Sequence, residues 1–218
     1  DTNVVIPALE SEAQHHGSFR VLSEACNHLG IELKVCQITI DELRRVVEDQ
    51  RALITKVAGQ IPESTAPKVR GIFFKLYKEQ LDTTGSVDLE MIFASFNNPS
   101  TSLSEDYKVE LIDDVWFIDS EESPETQRLA EELIRVYKEK RRHSKGKVSA
   151  LHDSLLLQWI LRERDQTAEN TWLVTLDTTL PRVLPQTDDR LMDFPAITLD
   201  ALIQWISPIT AYGNTDEI

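Results

Sequence analysis

The chain has 218 residues and a mass of 24.9 kDa, with 23 Lys+Arg against 37 Asp+Glu and a formal charge of −14. A content of 41% hydrophobic and 28% charged residues suits a folded domain and excludes wholesale disorder. No apolar run approaches the roughly 20 residues that cross a bilayer, and two cysteines, Cys26 and Cys36, are too few for a disulfide framework or a four-thiolate zinc site.

The opening Asp1-Thr2-Asn3 lacks the charged-then-apolar layout of a signal peptide, so a cytoplasmic protein without membrane contact is expected. Taken in chain order, a β-branched run at 4–6 predicts a strand and residues 9–29 a helix. A strand at 34–39 leads into a helix at 40–57. Residues 59–112 break the rhythm and read as a helical insertion: turn formers at 59–67 and 97–105 bracket a helix at 68–80. Beyond it come a strand at 115–118, helices at 124–140 and 150–164, and strands at 172–176 and 196–199. The tail, 208–218, has no periodicity and reads as frayed. This alternation predicts an α/β domain over 1–207, a central parallel sheet covered by helices.

Charge is uneven. Residues 105–132 hold 11 acidic and 2 basic residues, whereas 135–147 hold 7 basic residues against Glu139 alone. The basic block reads either as a solvated helix end, whose cations suit a C-terminus, or as a strip gripping phosphate through Arg141, Arg142, Lys145 and Lys147.

Four carboxylates fall where a parallel sheet would gather them at its carboxyl edge. Asp1 leads the first predicted strand and Asp177 ends Leu-Val-Thr-Leu-Asp. Glu42 follows the 34–39 strand, and Asp153 opens the helix after the basic block. Oxygen ligands of this kind suit Mg²⁺ or Mn²⁺, and such an ion activates water and neutralises charge in phosphodiester hydrolysis. Each residue also has a structural reading. Thr39-Ile40-Asp41-Glu42 matches a capping box, Asp153 complements a positive helix end, and Asp177 caps a short helix. The ordered set favours a site.

These residues, with Asp-Thr-Asn-Val (1–4), Ile-Thr-Ile-Asp-Glu-Leu-Arg-Arg (38–45), His-Asp-Ser-Leu-Leu-Leu (152–157) and Leu-Val-Thr-Leu-Asp-Thr-Thr-Leu (173–180), resemble the PIN-domain nucleases. The resemblance covers both ends of the chain and leaves 59–112 without a counterpart. It implies a Rossmann-like three-layer α/β/α fold, and an acidic quartet of Asp1, Glu42, Asp153 and Asp177 holding Mg²⁺ or Mn²⁺ to cleave mostly RNA. It also implies that Asn3 and Thr175 support the site by hydrogen bonds.

Other constellations are weaker. His152-Asp153 invites a metal-phosphohydrolase reading, but His15, His16 and His28 lack the context for it, and His152 reads as a helix-surface or supporting residue. Cys26, His28 and Cys36 lack a fourth zinc ligand and the cysteines read as buried thiols. Trp116, Trp159, Trp172 and Trp205 read as core. No phosphate-binding loop, dinucleotide fingerprint or serine-nucleophile motif is present. The expectation is therefore a metal-dependent endoribonuclease, such as a toxin or defence effector domain of a longer protein, acting alone or as a homo-oligomer. The alternative is a catalytically silent PIN-like module that engages a regulatory protein partner or neighbouring domain.

Overall fold

The computed structural model describes residues 1–56, 71–141, 145–167, 169–186, 193 and 195–213. In chain order these form α1 (Thr2–Leu9), α2 (His16–Leu29), β1 (Lys34–Cys36), α3 (Gln37–Lys56), α4 (Gly71–Thr84), α5 (Leu89–Ile92) and α6 (Pro99–Tyr107). Then follow β2 (Glu110–Ile112), α7 (Trp116–Glu121), α8 (Pro124–Arg141), α9 (Lys147–Thr167), β3 (Leu173–Thr175), α10 (Leu180–Val183), β4 (Ala196–Thr198) and α11 (Leu199–Gly213).

The expected three-layer sandwich around a central sheet is not what forms. Among the described residues there are two separate parallel pairs, β1 with β2 and β3 with β4, each three residues long. The rest of the architecture is mostly helical. Two predicted strands are helices, and local chemistry explains both. Residues 4–6 lie in α1, which starts because the Asp1 carboxylate and carbonyl accept from the backbone N–H of Asn3 (3.4 Å) and Val4 (2.9 Å). Val4, Val5 and Ile6 are all buried there, and a short fully buried run has no period to separate strand from helix. Residues 115–118 fall in and before α7, where Asp114 Oδ1 accepts from Trp116 N at 2.9 Å and starts the turn.

The predicted 34–39 strand stops at Cys36, because α3 already begins at Gln37. The insertion is helical as far as it is described, through α4, α5 and α6, with its turn formers at 59–67 outside the described residues. Pro99 occupies the first turn of α6, so the turn-rich 97–105 stretch is a helix start. The end of the insertion is β2, paired in register with β1. Helix α11 runs through Pro208 to Gly213 where fraying was expected; residues 214–218 are outside the described set.

Three apolar clusters hold the elements together. The first joins α1 and α3 to α4 and α6 through residues such as Val5, Ile40, Phe73, Phe93 and Leu103. The second packs α8 on α9, with Leu133, Val136 and Tyr137 against Leu156, Leu157 and Ile160. The third sets Leu22 and Cys26 of α2 against Leu202 and Ile206 of α11. Both cysteines are buried free thiols. The tryptophans divide: Trp159 is core, whereas Trp205 is 56% exposed and meets Trp172 edge-on at 5.7 Å. Among the described residues, no helix is long and apolar enough to cross a membrane.

Candidate functional site

Carboxylates far apart in sequence are drawn together where α1, α3, α9 and the end of β3 converge. Asp1 caps α1, and its Oδ2 accepts the Thr175 hydroxyl at 2.6 Å. Thr175 is fully buried in β3 and also accepts from the Asp177 backbone N–H at 2.9 Å. Asn3 links the same segments, accepting from Leu176 N at 2.9 Å and donating from Nδ2 to the Thr175 hydroxyl at 3.3 Å. Asn3 and Thr175 thereby tie the start of the chain to the loop that carries Asp177.

Glu42 lies inside α3, not at its start. Because α3 opens at Gln37, Thr39 is already helical and the capping-box reading fails. The buried Thr39 hydroxyl instead meets His152 Nε2 at 3.1 Å. Glu42 Oε2 accepts the Thr2 hydroxyl and stands 3.1 Å from His152 Nδ1, while Oε1 faces Arg45 at 3.5 Å. Asp153 is also deeper in its helix than the sequence suggested, since α9 begins at Lys147. The positive helix end therefore does not account for it, as that effect fades beyond the first turn.

Asp153 is 2% exposed. Lys145 Nζ lies against its Oδ2, and His152 Nδ1 is 3.7 Å from its Oδ1. Burial pushes the carboxyl's pKa up, but the contacts with His152 and Lys145 outweigh burial and hold it below the ordinary carboxylate value. Asp177 is shared in a similar way. Its Oδ1 accepts from Thr179 N at 2.8 Å in the turn before α10, whose N-cap is Thr179, so the expected capping of that helix by Asp177 does not form. Its Oδ2 accepts the Tyr137 hydroxyl at 2.6 Å and lies 3.8 Å from Lys145 Nζ. Lys145 in turn stacks over the Tyr137 ring at 4.6 Å.

Asp1, His152 and Asp153 each present a ligand-type atom, and these atoms lie within 4.8 Å of one another. Two buried atoms there are met by charged neighbours: Asp153 Oδ2 by Lys145 Nζ, and His152 Nδ1 by Glu42 Oε2 at 3.1 Å. Carboxylates gathered away from water call for cations, and Lys145 supplies one. Glu42 joins this group through His152, and Asp177 joins it through Lys145.

The proposed phosphate strip fares differently. Lys145 is turned inward onto the carboxylates, with its side chain 11% exposed, and so is not a surface cation. Lys147 is exposed at the first position of α9. Arg141 ends α8 without a described side chain, and Arg142 lies outside the described residues. Sequence reasoning passed over Tyr137 and left His152 as either a helix-surface or a supporting residue; at 6% exposed and in contact with Thr39 and Glu42 it is not on the surface. The available signal for Tyr137 was its spacing on α8, where Leu129, Leu133, Val136 and Tyr137 share the buried face. No family model, curated protein or solved structure matches the chain.

Proposed function

We propose that this chain is a metal-dependent endoribonuclease that hydrolyses RNA phosphodiester bonds at the site built from Asp1, Glu42, Asp153 and Asp177. The observation that carries this reading is the convergence of Asp1, His152 and Asp153, whose ligand-type atoms lie within 4.8 Å of one another, with Glu42 3.1 Å from His152 Nδ1 and Asp177 linked to Asp153 through Lys145. Anionic groups brought together away from water repel and are poorly solvated unless a cation joins them. The donor set, carboxylate oxygens with one imidazole nitrogen, suits Mn²⁺ well and Mg²⁺ through its oxygens. Asp1 and Asp153 would hold the ion, with His152, Glu42 and Asp177 around it. When bound, the ion supplies water activation and charge neutralisation.

The chain's own residues do the positioning. Thr175 and Asn3 hold Asp1 and the Asp177 loop together. The contact of Nε2 with the Thr39 hydroxyl orients the His152 ring so that Nδ1 faces the Glu42 and Asp153 carboxylates. Tyr137 holds Asp177 Oδ2. Lys145 balances Asp153 and Asp177 and offers positive charge to a phosphate that approaches them. The choice of RNA as substrate rests on the resemblance of these residues to the PIN-domain quartet, not on the architecture.

The test is a thermal-shift titration with Mn²⁺ and Mg²⁺ beside cleavage of single-stranded and structured RNA, wild type against a folded Asp153→Asn variant. An ion at about 100 times its dissociation constant adds about 2.7 kcal/mol of stability. That gain is expected in wild type and absent in Asp153→Asn, with cleavage falling by at least ~10²-fold. Wild type that neither gains stability from metal nor cleaves RNA would overturn the reading in favour of a silent, partner-binding module.

A further inference from the structure

Two of the acids are bridged by a cation that the chain itself supplies. Lys145 Nζ lies against Asp153 Oδ2 and 3.8 Å from Asp177 Oδ2, with its side chain 11% exposed. Tyr137 builds the seat. Its ring stands 4.6 Å from the ammonium, and its hydroxyl donates to the same Asp177 Oδ2 at 2.6 Å. Asp153 is therefore shared: Oδ2 serves Lys145, while Oδ1 is 3.7 Å from His152 Nδ1. Asp153 also belongs, with Asp1 and His152, to the group whose ligand-type atoms lie within 4.8 Å of one another. Arg45, by contrast, meets Glu42 Oε1 at 3.5 Å from a half-exposed position, where an ion pair has little strength.

Lys145 competes with any divalent ion held by Asp153 beside Asp177, because two cations on one buried pair of carboxylates repel with little screening. One of them has to leave, and Lys145 is placed to do so. Its head is a compact charge on a flexible stem. It also stands outside the helix that carries Asp153, since α9 opens at Lys147 and Gly146 intervenes. The space beside Gly146 is open, for a Cβ there would meet nothing within 4 Å. Rotation of the lysine stem thus leaves α9 and its carboxylate in place.

We propose that Lys145 is a displaceable counter-ion that sets the metal affinity of the site. With no ion bound it neutralises Asp153 and Asp177; when Mn²⁺ or Mg²⁺ binds it yields its seat and turns out to solvent. The proposal rests on the metal-binding reading of these acids and adds a competition within the chain. Two consequences of opposite sign follow from removing the ammonium. The metal-free protein loses stability, since buried carboxylates are left uncompensated. Metal binding tightens, since a site that is open for only a fraction of the time binds more weakly by that fraction.

The experiment uses wild type, Lys145→Met and Lys145→Arg, and reads the ion and the amine separately. Mn²⁺ affinity is measured by titration calorimetry. Reactivity of the Lys145 amine is measured by pulse labelling with acetic anhydride and mass spectrometry, with exposed Lys78 of α4 as the internal control. Lys145→Met keeps an apolar stem over Tyr137 and drops the charge; it is expected to bind Mn²⁺ at least about tenfold more tightly than wild type, and Lys145→Arg no more tightly than wild type. In wild type, saturating Mn²⁺ is expected to raise Lys145 labelling at least about tenfold and to leave Lys78 unchanged. In EDTA, Lys145→Met is expected to melt below wild type; should it fail to fold there, Mn²⁺ is expected to restore the fold, and failure to do so would overturn the proposal. Equal Mn²⁺ affinity in wild type and Lys145→Met, or Lys145 labelling that Mn²⁺ does not raise, would remove the counter-ion and leave the metal site standing. Absence of Mn²⁺ binding in all three proteins would remove the metal site itself, and the counter-ion with it.

Discussion

Asp153 shows how a single residue carries both stability and the site. Its carboxyl is buried, yet His152 and Lys145 keep its pKa below the ordinary value. A depressed pKa contributes stability that is complete above the unfolded value, about 3.9, and is lost as pH falls through the lower folded value. Urea unfolding of wild type and Asp153→Asn should therefore show a stability gap at pH 7 that narrows below about pH 4. A gap that widens on acidification would contradict this electrostatic account. The four carboxylates were legible in the sequence because each stands near the start or the end of an apolar run. The contacts of Tyr137 and Lys145 were not, because they depend on how α8, α9 and the segment between them meet the Asp177 loop. Thr39 is similar: its spacing to Glu42 reads as a cap, and only the start of α3 at Gln37 frees its hydroxyl for His152.

At the scale of elements, long amphipathic helices were the most readable. Helices α3, α8 and α9 lie close to their predicted spans because many residues vote for one period. Short apolar runs were ambiguous, and side-chain caps from Asp1 and Asp114 tipped two of them into helices. Helix α6 ends on a residue less suited to its place. Lys108 has φ 58°, the left-handed region, where its N–H bonds to Ser104 O at 3.1 Å and Val109 N to Leu103 O at 3.1 Å. Glycine is the usual occupant of such a helix end, and an L side chain there costs about 1 kcal/mol. Lys108→Gly is expected to stabilise the protein by roughly 0.5–1 kcal/mol in denaturant titration. A loss of stability would show that the Lys108 Nζ bond to Glu105 O outweighs the backbone strain.

Over the whole molecule, charge and packing act at different ranges. A formal charge of −14 makes the compact state repel itself, and salt screens that repulsion. Raising NaCl from about 10 to 150 mM, a range over which the Debye length falls from about 30 to 8 Å, is expected to stabilise the protein by about 1 kcal/mol. That corresponds to roughly 2–4 °C in melting temperature at this length; a fall would mean that attractive ion pairs such as Arg162 with Asp114 at 2.6 Å dominate. The sequence by itself determined the charge, the helical periods of α3, α8 and α9, the buried cysteines and the order of the acidic residues, since all of these are composition or local pattern. Only the tertiary structure decided that the strands among the described residues form two separate pairs, that β2 closes the insertion onto β1, and that Lys145 turns inward. Each of those outcomes depends on contacts between residues far apart in the chain, and local pattern carries no record of which faces meet.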